Sequence, residues 1–148
     1  MTGRLNLLRD YFVVAISFTM AAIFLYASLG KIREPLQFAD SIAAFKLLPA
    51  PFINPLALSL PLFEAGCAVL LLAPSTRRIG ALAVALICAT FFTALLSALL
   101  RGLTLDCGCF GAGRPSRSGM WLELVLDALL FLCALLVRCQ GRPRRAPC

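Results

Sequence analysis

The chain has 148 residues, of which 61% are hydrophobic and only 14% charged, and its mean hydropathy is +0.91; water-soluble domains carry charge on about a quarter of their residues. The formal net charge is +7 and histidine is absent, which excludes His-based catalysis, the usual haem ligation and most zinc enzymes. No aromatic-interleaved basic patch accompanies the positive charge, so it reads as membrane topology and attraction to anionic headgroups, with no role in binding nucleic acid.

Apolar stretches near 10–30, 55–73, 80–100 and 119–138 are each long enough to cross the roughly 30 Å of bilayer hydrocarbon as a helix. They are continuous and do not alternate, which favours helices over a barrel, since each spanning segment must satisfy its own amides. The expectation is an all-α integral membrane protein. It is a four-transmembrane-helix bundle in one domain over residues 1–138, with residues 139–148 a basic, disordered tail. The first stretch leaves through Tyr26-Ala27-Ser28-Leu29-Gly30-Lys31, without a clear small-x-small cleavage site, so it reads as a retained helix.

After it, Phe38, Ile42 and Phe45 recur at helical spacing, with Gln37, Asp40 and Ser41 opposite. With Pro35 in the first turn, this predicts a short amphipathic interfacial helix between the first two spans. The stretch from Pro49 to Pro55 is expected to turn the chain back into the membrane. The second span carries Pro61, Glu64 and Cys67, and residues 74–78 form a tight turn. The third span contains Cys88, Thr90, Thr93 and Ser97. A Gly/Arg-rich loop over 101–119 then holds Asp106-Cys107-Gly108-Cys109-Phe110-Gly111. The fourth span opens with Trp121 and places Glu123 and Asp127 on one face.

Orientation follows from Lys and Arg at the helix ends. One side carries Arg4, Arg9, Arg77, Arg78, Arg138, Arg142, Arg144 and Arg145. The other carries Lys31, Arg33, Lys46, Arg101, Arg114 and Arg117. The first side is expected to be cytoplasmic, with both termini inside a bacterial cytoplasmic (inner) membrane and the Cys107/Cys109 loop outside.

Two thiols one residue apart close only a tight, strained ring, and strained, exposed disulfides are the labile, oxidising kind. Cys107 and Cys109 are therefore the leading catalytic candidates, with Arg101, Arg114 and Arg117 favouring thiolates and Asp106 opposing them. A fixed structural disulfide or inert thiols are the bland alternative. A two-thiolate Cu(I) site is the weaker metal reading, and no other metal is expected. Glu64 is the second candidate, because a carboxylate in hydrocarbon is costly. Asp127 lies at a similar depth, and two facing carboxylates cannot both ionise cheaply. Such a pair could relay the protons released by thiol oxidation. It could equally clamp the helices together with Tyr26, Thr93 or Ser97. Glu123 is expected to be solvated or paired with Lys31 or Arg101. Cys67 and Cys88 read chiefly as small apolar core residues, with a second redox pair left open.

Residues 27–35 (ASLGKIREP) followed by Phe38, Leu47-Leu48-Pro49, Pro61-Leu62-Phe63-Glu64-Ala65-Gly66 and Cys107-Gly108-Cys109-Phe110-Gly111 together resemble the MauE branch of the DoxX-like membrane proteins. The resemblance runs from the first span to the start of the fourth. It implies a four-helix membrane protein associated with maturation of a disulfide-rich methylamine dehydrogenase subunit, beside a thioredoxin-like partner. By residue it directs attention to Lys31, Pro35, Glu64, Cys107 and Cys109.

The expected function is a membrane thiol–disulfide redox protein. It would exchange disulfide through Cys107/Cys109 with an extracytoplasmic thioredoxin-fold partner and so support maturation of a secreted redox protein. Glu64 and Asp127 would handle protons. No cofactor is fixed by the sequence; a quinone dissolved in the bilayer is the natural electron acceptor, although no quinone motif is visible. The rival is a non-enzymatic membrane anchor or assembly scaffold, with Cys107–Cys109 as a staple. Client, direction of electron flow and homo-oligomerisation stay open.

Overall fold

The computed structural model describes residues 2–104 and 117–140, with side chains from residue 7 onward. Five helices follow in order: α1 (Thr2–Arg33), α2 (Pro35–Ala44), α3 (Ala50–Leu72), α4 (Arg77–Leu100) and α5 (Arg117–Gln140). Among the described residues there is no strand. Four of these helices, α1, α3, α4 and α5, are long and apolar enough to cross a membrane. The protein is an all-helical integral membrane protein.

Large apolar side chains cover the outside. Phe12, Phe18, Leu62, Leu86 and Leu129 are all more than half exposed, a distribution that would aggregate in water and suits lipid. The interior is built from small residues. Ala21, Ala68, Ala81 and Ala134 are completely buried, with Ser17 and Gly80 also inside. Lipid is as apolar as leucine, so transmembrane helices associate by close packing, and small residues allow it. The long helices close into a ring in which α1 packs on α3, α3 on α4, α4 on α5 and α5 back on α1.

The α3–α4 hairpin is the tightest junction. A Cβ at Gly80 would lie 2.8–2.9 Å from Leu70 and from the backbone nitrogen of Leu71. Helix ends leave carbonyls without partners, and here the turn supplies them. The Thr76 hydroxyl donates to the Leu70 carbonyl at 3.0 Å, and Arg77 Nε donates to the Leu71 carbonyl at 3.2 Å. At the far end α4 stops at a glycine cap. Gly102 takes φ +72, its N–H reaches Leu99 O, and the Leu103 N–H reaches Ala98 O. This is the Schellman arrangement, and it launches the segment that carries Cys107 and Cys109.

One turn differs from the sequence expectation. The Pro49–Pro55 stretch does not turn the chain: residues 45–49 do so, and α3 starts at Ala50 with Pro51 in its first turn and Pro55 inside. Proline near a helix start is tolerated because that N–H has no intrahelical partner to lose. The break after α1 is sharp, falling at Glu34 before Pro35, which lacks the N–H needed to continue the helix. As expected, α2 is two-faced, with Phe38, Ala39 and Phe45 buried and Gln37 and Asp40 exposed. Phe38 and Ala39 pack with Ala57, against Ile53 and Leu60 of α3. Phe45 joins Leu95, Ala98, Met120 and Leu124 between α4 and α5.

Candidate functional site: a buried ion pair between α1 and α3

Lys31 and Glu64 are each 2% exposed at the side chain, and the Lys31 ammonium donates to both carboxylate oxygens, at 2.6 and 2.8 Å. The third face of the ammonium is aromatic. Nζ lies 5.2 Å from the ring centroid of Phe38 on α2 and 5.1 Å from that of Phe91 on α4, within cation–π range. One residue thus ties together α1, α2, α3 and α4. The Ser28 hydroxyl, one turn earlier on α1, donates to the Pro61 carbonyl of α3 at 2.7 Å in the same buried seam. A charge in hydrocarbon is expensive unless partnered, and this one is satisfied on every side.

The sequence offers Lys31 only as one of two cations that Glu123 could pair with, and its ion pair is with Glu64 instead. Side chains on a helix lean toward its N-terminus, so Lys31, in the last turn of α1, reaches back to Glu64 inside the bundle. Glu64 also lies deeper in its helix than expected, because α3 begins at Ala50. Asp127 comes to the same place. A pocket of about 40 Å³ is lined by Lys31, Glu64, Cys88, Phe91 and Asp127, together with Ile23, Phe24, Ala27 and Leu130. Asp127 Oδ2 is buried there and accepts no hydrogen bond. The volume exceeds the 10–15 Å³ or so that a water needs, and the walls offer several polar partners. Glu64 and Asp127 therefore line one small, half-open pocket with largely apolar walls, in which Lys31 is one cation for two carboxyl groups.

Most other candidates separate from this pocket. Tyr26 is 67% exposed, and Thr93 donates to Thr90 within α4. Arg101 donates through Nε to Ser97 O and through a terminal nitrogen to Phe45 O at 2.7 Å, so it ties the end of α4 to the end of α2. Cys67 and Cys88 lie in the main buried cluster with Ala68 and Val84, and of the two Cys88 also lines the pocket beside Lys31 and Glu64. Cys107, Cys109, Asp106 and Arg114 lie outside the described residues. Among the described residues no group of His, Cys, Asp and Glu is placed to hold a metal.

A lipid-facing helical bundle organised around a satisfied internal ion pair defines a multispan membrane protein whose polar centre is built from α1 and α3. The family model described as Methylamine utilisation protein MauE matches residues 9–140, and the chain belongs to that family. It is 38% identical over 133 residues to the MauE protein of Methylophilus methylotrophus, covering 84% of this chain and 69% of that protein. It is 34% identical over 134 residues to the MauE protein of Paracoccus denitrificans, covering 90% and 71%. No solved structure matches the chain. The resemblance carried by residues 27–35, 47–49, 61–66 and 107–111 is thus borne out at the level of the MauE family, and its link is to methylamine utilisation.

Proposed function

We infer that the protein is a thiol–disulfide redox component of the bacterial cytoplasmic membrane, with both termini inside, that acts in methylamine utilisation. The Cys107-Gly108-Cys109 pair carries this reading. It lies in the connection between α4 and α5, six residues in sequence after Arg101, which joins α4 to α2. The oxidised pair accepts attack by a thiolate of a thioredoxin-fold partner, forming a mixed disulfide and releasing one cysteine thiolate. The partner's second thiol then resolves it. The partner leaves oxidised, and Cys107 and Cys109 are left as a dithiol.

Reoxidation of that dithiol releases two protons. Asp127, with a buried oxygen facing a chamber large enough for water, supports a role in holding or passing one of them, with Glu64 and Lys31 fixing the local charge. The test is a Cys109→Ser variant expressed in the native membrane. The remaining Cys107 thiol should accumulate as a covalent adduct with a thioredoxin-fold protein, identified by mass spectrometry. Absence of any adduct, together with a wild-type pair that stays oxidised under strong reductant, would leave the anchor or scaffold role standing in its place.

A further inference from the structure

Lys31 holds Glu64, but the pocket it faces contains a second carboxyl group. Asp127 reaches it from α5, and its buried Oδ2 accepts no hydrogen bond. Cys88 of α4 is the remaining titratable wall, and α2 presents the ring of Phe38. Cys67 stands one turn along α3 from Glu64, and Glu123 one turn outward on α5 from Asp127; neither lines the pocket. Between largely apolar walls one ammonium balances one carboxylate, so the second carboxyl group is accommodated only with a proton on it. The charge count is the same whichever of the two carries that proton.

The packing around the pocket is lopsided. α1 lies closely against α3, whereas its seam with α5 is the thinnest in the ring. A groove of about 430 Å³ lies along that seam, walled by Phe12 and Met20 on α1 and by Leu126 and Leu129 on α5. Ile23 of α1 and Leu130 of α5 belong to both the groove and the pocket, so the two adjoin. The ion pair thus ties α1 on its filled side, and the unused carboxyl group comes from its unfilled side. An aspartate arm is one methylene shorter than a glutamate arm. An ammonium held by Asp127 would therefore draw α5 toward α1, and the groove leaves room for that movement.

We propose that Lys31 is a shared cation with two resting places. In this structure it pairs with Glu64, and Asp127 carries the proton. When the proton passes from the Asp127 carboxyl group to Glu64, the ammonium follows the negative charge to Asp127, which unties α1 from α3 and closes α1 on α5. The step balances: one O–H bond breaks at Asp127, one forms at Glu64, and the charge of the pocket is unchanged. The hydrogen bonds given up at Glu64 are replaced at Asp127, which is what lets one sequence hold two packings. The swap builds on the proton-holding role read for Asp127 but needs none of the thiol chemistry, which the Cys109→Ser trap tests separately.

The test uses the full-length protein in bilayers of phosphatidylethanolamine and phosphatidylglycerol. Lys31 and Lys46 are the only lysines, so a Lys46→Arg background leaves one ammonium to observe. Solid-state NMR, with isotope-labelled lysine nitrogen and either glutamate or aspartate carboxyl carbons, reads which acid that ammonium touches. The parent should couple to glutamate. Glu64→Gln, which keeps the shape and removes the charge, should move the coupling to aspartate, and adding Asp127→Asn should abolish it. Unfolding in SDS gives an independent reading. Glu64→Gln and Asp127→Asn together should cost more than the sum of the singles, because Asp127 supports the stranded ammonium when Glu64 alone is changed. A Glu64→Gln protein without aspartate coupling, losses that simply add, or a Glu64→Gln protein that fails to fold with Asp127 present would each overturn the swap.

Discussion

Replacing Lys31 or Glu64 with methionine keeps side-chain length and removes one member of the ion pair. With both side chains 2% exposed and joined by two hydrogen bonds, each single change strands a buried partner, and such breaks cost about 3–5 kcal/mol. The two singles are not equivalent. Glu64→Met leaves an ammonium that retains the faces of Phe38 and Phe91, worth about 2 kcal/mol when desolvated. Lys31→Met leaves a carboxylate whose hydrogen-bond donors are gone. Lys31→Met should therefore be the more damaging. The double variant leaves no charge, and replacing a buried pair with apolar residues of similar volume is often close to neutral. Its loss should fall well short of the sum, giving a coupling of at least about 3 kcal/mol. Reversible unfolding of the four proteins in SDS–detergent mixtures, followed by far-ultraviolet circular dichroism, measures all three differences. Singles that each cost under about 1 kcal/mol, or effects that add to within about 0.5 kcal/mol, would refute the claim that this pair holds α1 to α3.

Further outcomes follow from other contacts. Gly80→Ala drives a methyl to within 3 Å of the α3 backbone and should destabilise the protein by about 1–3 kcal/mol, as overpacking does, in the same SDS titration. Ser28→Ala removes the buried bond to Pro61 O and should cost about 1 kcal/mol or somewhat more, again by unfolding. Asp127→Asn should leave helix content and the unfolding midpoint near wild type while slowing reoxidation of the cysteine pair about tenfold or more; unchanged reoxidation kinetics by stopped-flow thiol trapping would remove Asp127 from proton handling. Arg101→Met frees the α2 end and should raise hydrogen exchange at Phe45 and Lys46 relative to the middle of α4.

Much of the helix content was legible because 18-residue apolar runs admit few alternatives. The two-faced pattern of Phe38, Ile42 and Phe45 located α2 from spacing alone. The misplacement of the turn before α3 came from reading prolines at 49, 51 and 55 as punctuation, when the first turn of a helix accepts proline and α3 already has its start there. The ion pair was only half legible. Glu64 stood out as a charge inside an apolar run, but its partner was sought across the bundle at Asp127. Lys31 looked like an interfacial cation at a helix end, and its backward reach depends on side-chain direction and helix crossing, which local pattern does not encode. A lone acid in one span and a base in the last turn of the preceding one should have been matched to each other first, since neither is cheap alone.

The short second helix has its own consequence. It touches the Lys31 ammonium through the ring of Phe38 at one end and the Arg101 guanidinium through the carbonyl of Phe45 at the other. The interruption at Glu34 separates it from the long rod before it. Its ten residues make a stiff rod about 15 Å long that starts where the backbone breaks. The polar centre and the end of α4 therefore share one short helix as a common support, each held to it by a cation.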